Sequence, residues 1–228
     1  MNILAIESSG LTASAAVMTD GKLVSEFTVN NKKTHSQTLL PMIDEVMRSA
    51  DLKPEDLSCI AISRGPGSFT GLRIGSATAK GLGLALNKPL IEVPTLKALA
   101  YNMFGNLESI ICPIMDARRQ EVYTAAYDSE LNDLIPEKAC PLEELLRELE
   151  KFDKRVIFVG DGVPVYSEFI RENFMGKYAF APETLLLQRA ASVAAIGNKM
   201  YEEGKYISAD AHTPVYLRKS QAERELGK

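Results

Sequence analysis

Ala61-Ile62-Ser63-Arg64-Gly65-Pro66-Gly67-Ser68-Phe69-Thr70-Gly71-Leu72-Arg73-Ile74-Gly75 leads from an apolar strand, through a Gly-Pro-Gly turn, into a helix studded with glycine. The strand spans Ser58 to Ser63, and the helix runs from about Thr70 to Leu86. Gly71, Gly75, Ala79 and Gly83 fall four residues apart, which stacks them on one helical face. Gly81 is a further glycine, with Ala77 and Ala85 four residues to either side. Glycine in a helix interior is about 0.8–1 kcal/mol worse than alanine, so Gly75, Gly81 and Gly83 together cost roughly 2–3 kcal/mol. Close backbone approach offsets such a cost, and small residues at i and i+4 allow it. The close neighbour can be this chain's own sheet or a helix of another chain, and the spacing leaves both open.

A glycine-rich turn between strand and helix also invites comparison with phosphate-cradling loops. It is not GxxxxGK[ST], because no lysine follows Gly71, and it is not GxGxxG. Ser68 stands one place off the G-x-S-x-G elbow, and a serine hydrolase also needs a histidine base. The two histidines, His35 and His212, have no obvious carboxylate partner and read as solvated or cap-adjacent side chains. They also lack the paired spacing of a histidine metal site, so neither metal nor cofactor is expected. The three cysteines, Cys59, Cys112 and Cys140, are widely spaced, and the first two lie in apolar runs as small core fillers.

Upstream, Asn2 to Ser8, Thr12 to Met18 and Lys22 to Val29 read as strands, with Asp20-Gly21 as a hairpin turn. Leu39, Leu40, Ile43, Val46, Met47 and Ala50 are spaced as a helix, capped by Ser36 or Thr38 with Pro41 in or near the first turn. Downstream come a strand at Leu90–Val93 and a helix from Thr95 to about Phe104. After Gly105-Asn106 the order restarts with a hairpin, Ile110–Met115 and Glu121–Tyr127, about Ala117–Gln120. A helix from Pro141 to Lys151, a strand at Arg155–Val159, a Gly160-Asp161-Gly162 turn and a helix from Pro164 follow. A longer helix, roughly Glu183 to Glu203, stops at Gly204. This doubled order predicts an α/β protein of two similar subdomains, mixed sheets with flanking helices, at 1–105 and 106–228, the tail free to return to the first.

The 228 residues carry a net charge of −4, with 46% hydrophobic and 25% charged residues, as in ordinary globular proteins. Lys32-Lys33, Arg118-Arg119 and Arg218-Lys219 are pairs, too short for a phosphate-binding stripe, so a role with tRNA would be indirect, through a more basic partner. No apolar stretch reaches the roughly 18–20 residues that span a bilayer, and no basic leader precedes the first strand, so no membrane role and a cytoplasmic location are expected.

The first strand ends Glu7-Ser8-Ser9, followed by Thr12. In sugar-kinase-like ATPases an acid there binds metal-nucleotide and hydroxyls contact phosphate. Glu7, Ser9, Thr12 and Asp161 are therefore the residues on which an ATP-dependent alternative would rest.

Residues 61–75 closely resemble the defining segment of the TsaB (YeaZ) family. Met115-Asp116-Ala117-Arg118-Arg119-Gln120-Glu121-Val122-Tyr123 resembles its second motif; Leu4–Ser9 and Pro214-Val215-Tyr216-Leu217-Arg218 are similar as well. Glu7 stands where the family usually has Asp, and Gln37 where it often has Glu. The resemblance implies the actin/Hsp70/sugar-kinase fold. It further implies a part in making threonylcarbamoyladenosine at position 37 of tRNAs that read codons beginning with A. There a TsaD-type subunit holds the catalytic metal and transfers the threonylcarbamoyl group, and a TsaE-type ATPase joins the complex. TsaD-like proteins place two metal-binding histidines where Thr95 and Leu99 stand here, Thr95 reading as a helix cap and Leu99 as core. The resemblance thus implies a non-catalytic subunit that pairs with TsaD, or with a second copy of itself when alone. Its interface would use Leu39, Leu40, Ile43, Val46 and Met47 with Arg73, Ile74, Gly75 and Ala77. A kinase-like enzyme or a peptidase of the same fold is the alternative.

Overall fold

Strand β1 (Asn2–Glu7) alternates Leu4 and Ile6 with Ile3 and Ala5, all fully buried, so both faces of its sheet must be covered. In the computed structural model, which describes residues 1–31 and 33–218, β1 lies at the centre of five strands. Lys32 and residues 219–228, which hold one member each of two basic pairs and the end of the second expected subdomain, lie outside the described residues. β2 (Ala13–Thr19) and β3 (Lys22–Val29) fold back antiparallel on one side. Asp20 and Gly21 between them take φ of +48° and +74°, the two left-handed positions of a tight hairpin. β4 (Cys59–Ser63) and β5 (Leu90–Val93) add in parallel on the other, giving the order β3-β2-β1-β4-β5. Helices α1 (His35–Ser49) and α2 (Phe69–Leu86) cover the Leu4/Ile6 face.

The chain then repeats itself. After α3 (Thr95–Tyr101), strands β6 (Ser109–Asp116), β7 (Glu121–Tyr127), β8 (Asp133–Pro141), β9 (Arg155–Val159) and β10 (Tyr178–Phe180) form a second sheet, β8-β7-β6-β9-β10. The strand order and the senses of pairing match the first sheet. Helices α4 (Leu142–Leu149) and α5 (Gly162–Asn173) cover one face. The remaining faces are covered crosswise. α3 packs on the second sheet through Leu96, Leu99 and Ala100, while α6 (Ala190–Glu202) returns to the first through Ala190, Val193, Ala194 and Ile196.

Element expectations change in several places: the short edge strand β10 was not expected, and α5 begins at Gly162 rather than Pro164. β8 was not expected, because Pro136, Pro141 and its charged residues hide the alternation; as an edge strand it needs no N–H from proline on its free side. Pro141 closes that strand, and the following helix begins at Leu142. The helix expected over 183–203 divides into a short 3-10 turn, Glu183–Leu185, and α6, with Arg189 extended between them at φ −148°. α1 opens after Thr34 without a side-chain cap, so Pro41 falls inside it rather than in its first turn. Among the described residues no helix is long and apolar enough to cross a membrane.

Candidate functional site

The glycines of α2 follow the turn after β1. Ser68 N–H donates to the Ser9 carbonyl at 2.7 Å, and Ser68 Oγ accepts from Gly71 N–H at 3.3 Å, capping the helix. A Cβ on Gly71 would lie 2.1 Å from the Ser8 carbonyl oxygen, and one on Gly75 2.2 Å from Ser8 Oγ. At the far end, a Cβ on Gly83 would lie 2.7 Å from that of Ala209. The Gly71–Gly75–Ala79–Gly83 stripe is therefore turned inward, onto this chain's own strand and tail. Gly81 is the exception: nothing lies within 4 Å of its Cβ position, and with exposed Ala77 and Ala85 it forms a second small-residue stripe facing solvent.

The residues expected at a partner interface separate into two layers. Leu39, Ile43, Val46, Met47 and Gly75 are buried within this chain. Leu40, 56% exposed, together with Arg73 and Ala77, lies at the surface, and Ile74 is half-buried. Leu84, 59% exposed, extends the outer face of α2 toward its C-terminus.

A cleft of about 360 Å³ runs between the halves, lined by Ser9–Leu11, Pro66–Phe69, Met115–Arg118, Tyr123, Asp161 and Tyr216–Arg218. The expected nucleotide residues are mostly turned away from it. Glu7 is buried, its Oε1 accepting from Ser9 N–H and Ser9 Oγ at 2.6 Å each and its Oε2 from Ser63 Oγ. Burial pushes the Glu7 carboxyl above its ordinary range, and the Ser63 and Ser9 hydrogen bonds pull against that. Thr12 Oγ1 donates to the Gln188 carbonyl at 2.7 Å. Ser9 and Asp161 alone of the four line the cleft. Burial raises the Asp161 carboxyl to about 6, and the neighbouring Gln188 side chain pulls weakly against that. At the rim, Arg118 pairs with Asp116 at 3.3 Å, and Arg218 with Glu121 at 2.5 Å and with the Ala117 carbonyl at 2.8 Å. The cleft thus has an acidic floor and paired guanidinium groups, a poor receptacle for a polyphosphate.

Thr95 does not cap α3. Pro94 holds the cap position, and Thr95 Oγ1 instead accepts from Gly65 N–H at 3.1 Å, pinning the Gly-Pro-Gly turn. Leu99, one turn on, is 1% exposed and packs with the second sheet; a Cβ on Gly160 would lie 2.9 Å from its Cδ2. Among the described residues, no three of His, Cys, Asp and Glu gather as a metal site.

His35 is cap-adjacent, as expected, its Nε2 3.1 Å from the Gly10 carbonyl oxygen at the start of α1. His212 is not solvated. It is 1% exposed, with Nδ1 2.6 Å from Glu92 Oε1 and Nε2 2.5 Å from Ser76 Oγ. Sequence spacing carries no signal of this group, because α2, β5 and the tail meet only in the fold. Its connectivity is that of a serine-hydrolase triad. Yet Ser76 lies inside a helix, is 7% exposed, and directs its hydroxyl at a fully covered ring, leaving an acyl carbonyl no approach.

A family model described as TsaD: tRNA N6-adenosine threonylcarbamoyltransferase matches residues 22–226. The chain is 33% identical over 228 residues to the tRNA threonylcarbamoyladenosine biosynthesis protein TsaB of Bacillus subtilis (strain 168), covering 98% of this chain and 96% of that one. A crystal structure of a Pseudomonas aeruginosa protein, described as similar to peptidase YEAZ, superposes with a TM-score of 0.80 at 26% identity, covering 95% and 99% of the two chains. The inorganic polyphosphate/ATP-glucomannokinase of an Arthrobacter strain has a TM-score of 0.52 at 11% identity, covering 89% and 99%; it shares the sugar-kinase fold alone.

Proposed function

The chain belongs to the TsaB family of tRNA threonylcarbamoyladenosine biosynthesis proteins, and on that premise we propose that it is the non-catalytic subunit of a threonylcarbamoyl-transfer complex. The observation that carries the reading is the state of Thr95 and Leu99. Both are buried, the one engaged with the Gly65 backbone and the other with the second sheet, at the positions where the resemblance puts a TsaD-type metal site. A TsaD-type transferase is the partner, and a TsaE-type ATPase joins through it. The net charge of −4 supports contact with tRNA only through that partner. We place the docking surface on the outer faces of α1 and α2, around Leu40, Arg73, Ile74 and Ala77, with Gly81 and Leu84 continuing it. When the chain is alone, the same face would pair two copies. We take 1–105 as the docking half and 106–228 as its companion, in the cytoplasm.

Size-exclusion chromatography with the TsaD-type transferase of the same cell tests this. Leu40→Glu and Ala77→Arg are expected to abolish co-elution while the melting temperature stays within about 2 °C. Co-elution unchanged in both variants overturns the placement. Gly75→Leu is no probe of docking, because Gly75 is buried against Ser8. For the ATP-dependent alternative, equilibrium dialysis with ATP and magnesium is expected to give millimolar or weaker binding. Micromolar binding lost on Glu7→Ala would restore an enzyme.

A further inference from the structure

The segment after α6 runs back along α2 in the opposite direction. Ile207 and Leu90 exchange main-chain hydrogen bonds at 2.9 Å each way, extending the β5 edge. Ala209 then sits under Gly83, and Lys80 Nζ donates to the Asp210 and His212 carbonyls at 2.9 and 3.0 Å. Val215 N–H donates to the Arg64 carbonyl at 2.7 Å, Tyr216 lies on the Phe69 ring at 4.6 Å between centroids, and Arg218 reaches the second half. From residue 205 to 218 only Ala209 and His212 are buried. His212 is the one side chain of the strap held through both ring nitrogens, by Ser76 on α2 and Glu92 on β5. Besides it, Ala209 packs into the core under Gly83, and the remaining attachments are main-chain hydrogen bonds or contacts nearer the surface.

We propose that Ser76–His212–Glu92 is a clasp that binds residues 205–218 along the inner edge of α2, and that His212 is a positioning residue for the outer, docking face of that helix. The second clause rests on the function proposed above; the first does not. The ring joins a helix to the sheet edge through one buried group, so removing it frees the strap between Ile207 and Val215 and loosens the tail-facing side of α2, while Gly71 and Gly75 keep their packing on the turn after β1. The clasp has the atoms of a hydrolase triad but no access for substrate, and its chemistry is hydrogen bonding alone.

Hydrogen exchange on the full-length chain tests the clasp. In His212→Gln the Ile207 and Val215 amides are expected to exchange about tenfold faster, while those of β6 and β9 stay unchanged. Glu92→Gln retains an acceptor for Nδ1–H and is expected to stay within about twofold of the unsubstituted protein. If His212→Gln does not fold, Ser76→Ala removes one bond only and is expected to give about a threefold effect. Unchanged exchange at Ile207 and Val215 overturns the clasp. So does labelling of Ser76 by a fluorophosphonate, which would make the site a nucleophile. Affinity for the TsaD-type partner is then read on the same variants, with about fivefold weakening expected for His212→Gln. Faster strap exchange with unchanged affinity overturns the positioning role. If Leu40→Glu also leaves affinity unchanged, the docking surface itself is wrong and the clasp stands.

Discussion

Gly71 and Gly81 lie on one helix and answer to opposite constraints. Gly71 faces the Ser8 carbonyl so closely that a methyl group has no room, and Gly71→Ala is expected to destabilise the protein by about 3 kcal/mol in urea denaturation. Gly81 faces open space, and Gly81→Ala is expected to stabilise it by about 0.5–1 kcal/mol through helix propensity alone. Asp161 makes the residue-scale prediction about pH. Its carboxyl titrates near 6 in the fold against 3.8 unfolded, so the folded state favours the protonated form. Stability from this group is present below pH 3.8 and is lost as pH rises through 6, on the order of 2–3 kcal/mol by neutrality. Asp161→Asn is therefore expected to be more stable than the unsubstituted protein at pH 8, with the gap closing toward pH 4, as read by urea denaturation across that range.

Among the elements, α1 and β8 show what local sequence can and cannot announce. The apolar spacing of α1 is helical, and the helix forms, yet Pro41 lies inside it and withholds an N–H from the Gln37 carbonyl. Pro41→Ala is expected to raise stability by about 1–3 kcal/mol in thermal denaturation, since the position is exposed and alanine supplies the missing donor. β8 has no such periodicity. Its pairing with β7 shifts register near Ala126, and adjacent Leu134 and Ile135 both pack on the core with Cys140 five residues on, so the alternation is broken. The break in the 183–203 helix has a tertiary cause as well. Arg189 is extended and pairs with Glu26 of β3, turning the chain from the second sheet back to the first.

At the scale of the whole molecule, α3 and α6 are exchanged between halves that otherwise repeat one topology. Residues 1–105 alone would leave Ile3, Ala5, Ala16, Ala61, Ile91 and Val93 without α6; residues 106–228 alone would leave Ile111, Met115, Ala125 and Val159 without α3. Each half expressed separately is expected to show no cooperative thermal transition by circular dichroism, and mixing the two to restore one. The doubled element order, the inner strands and the glycine helix were readable along the chain, because strand alternation, helical spacing and turn residues act over a few neighbours; the family was readable only through the resemblance of residues 61–75 and 115–123 to its motifs. Which way the glycine stripe faces, how the interface residues divide into inner and outer layers, and the joining of Ser76, His212 and Glu92 were decided only by the fold. Those depend on which surfaces a sheet and a returning tail bring together, and contacts between residues 120 or more positions apart leave no local trace.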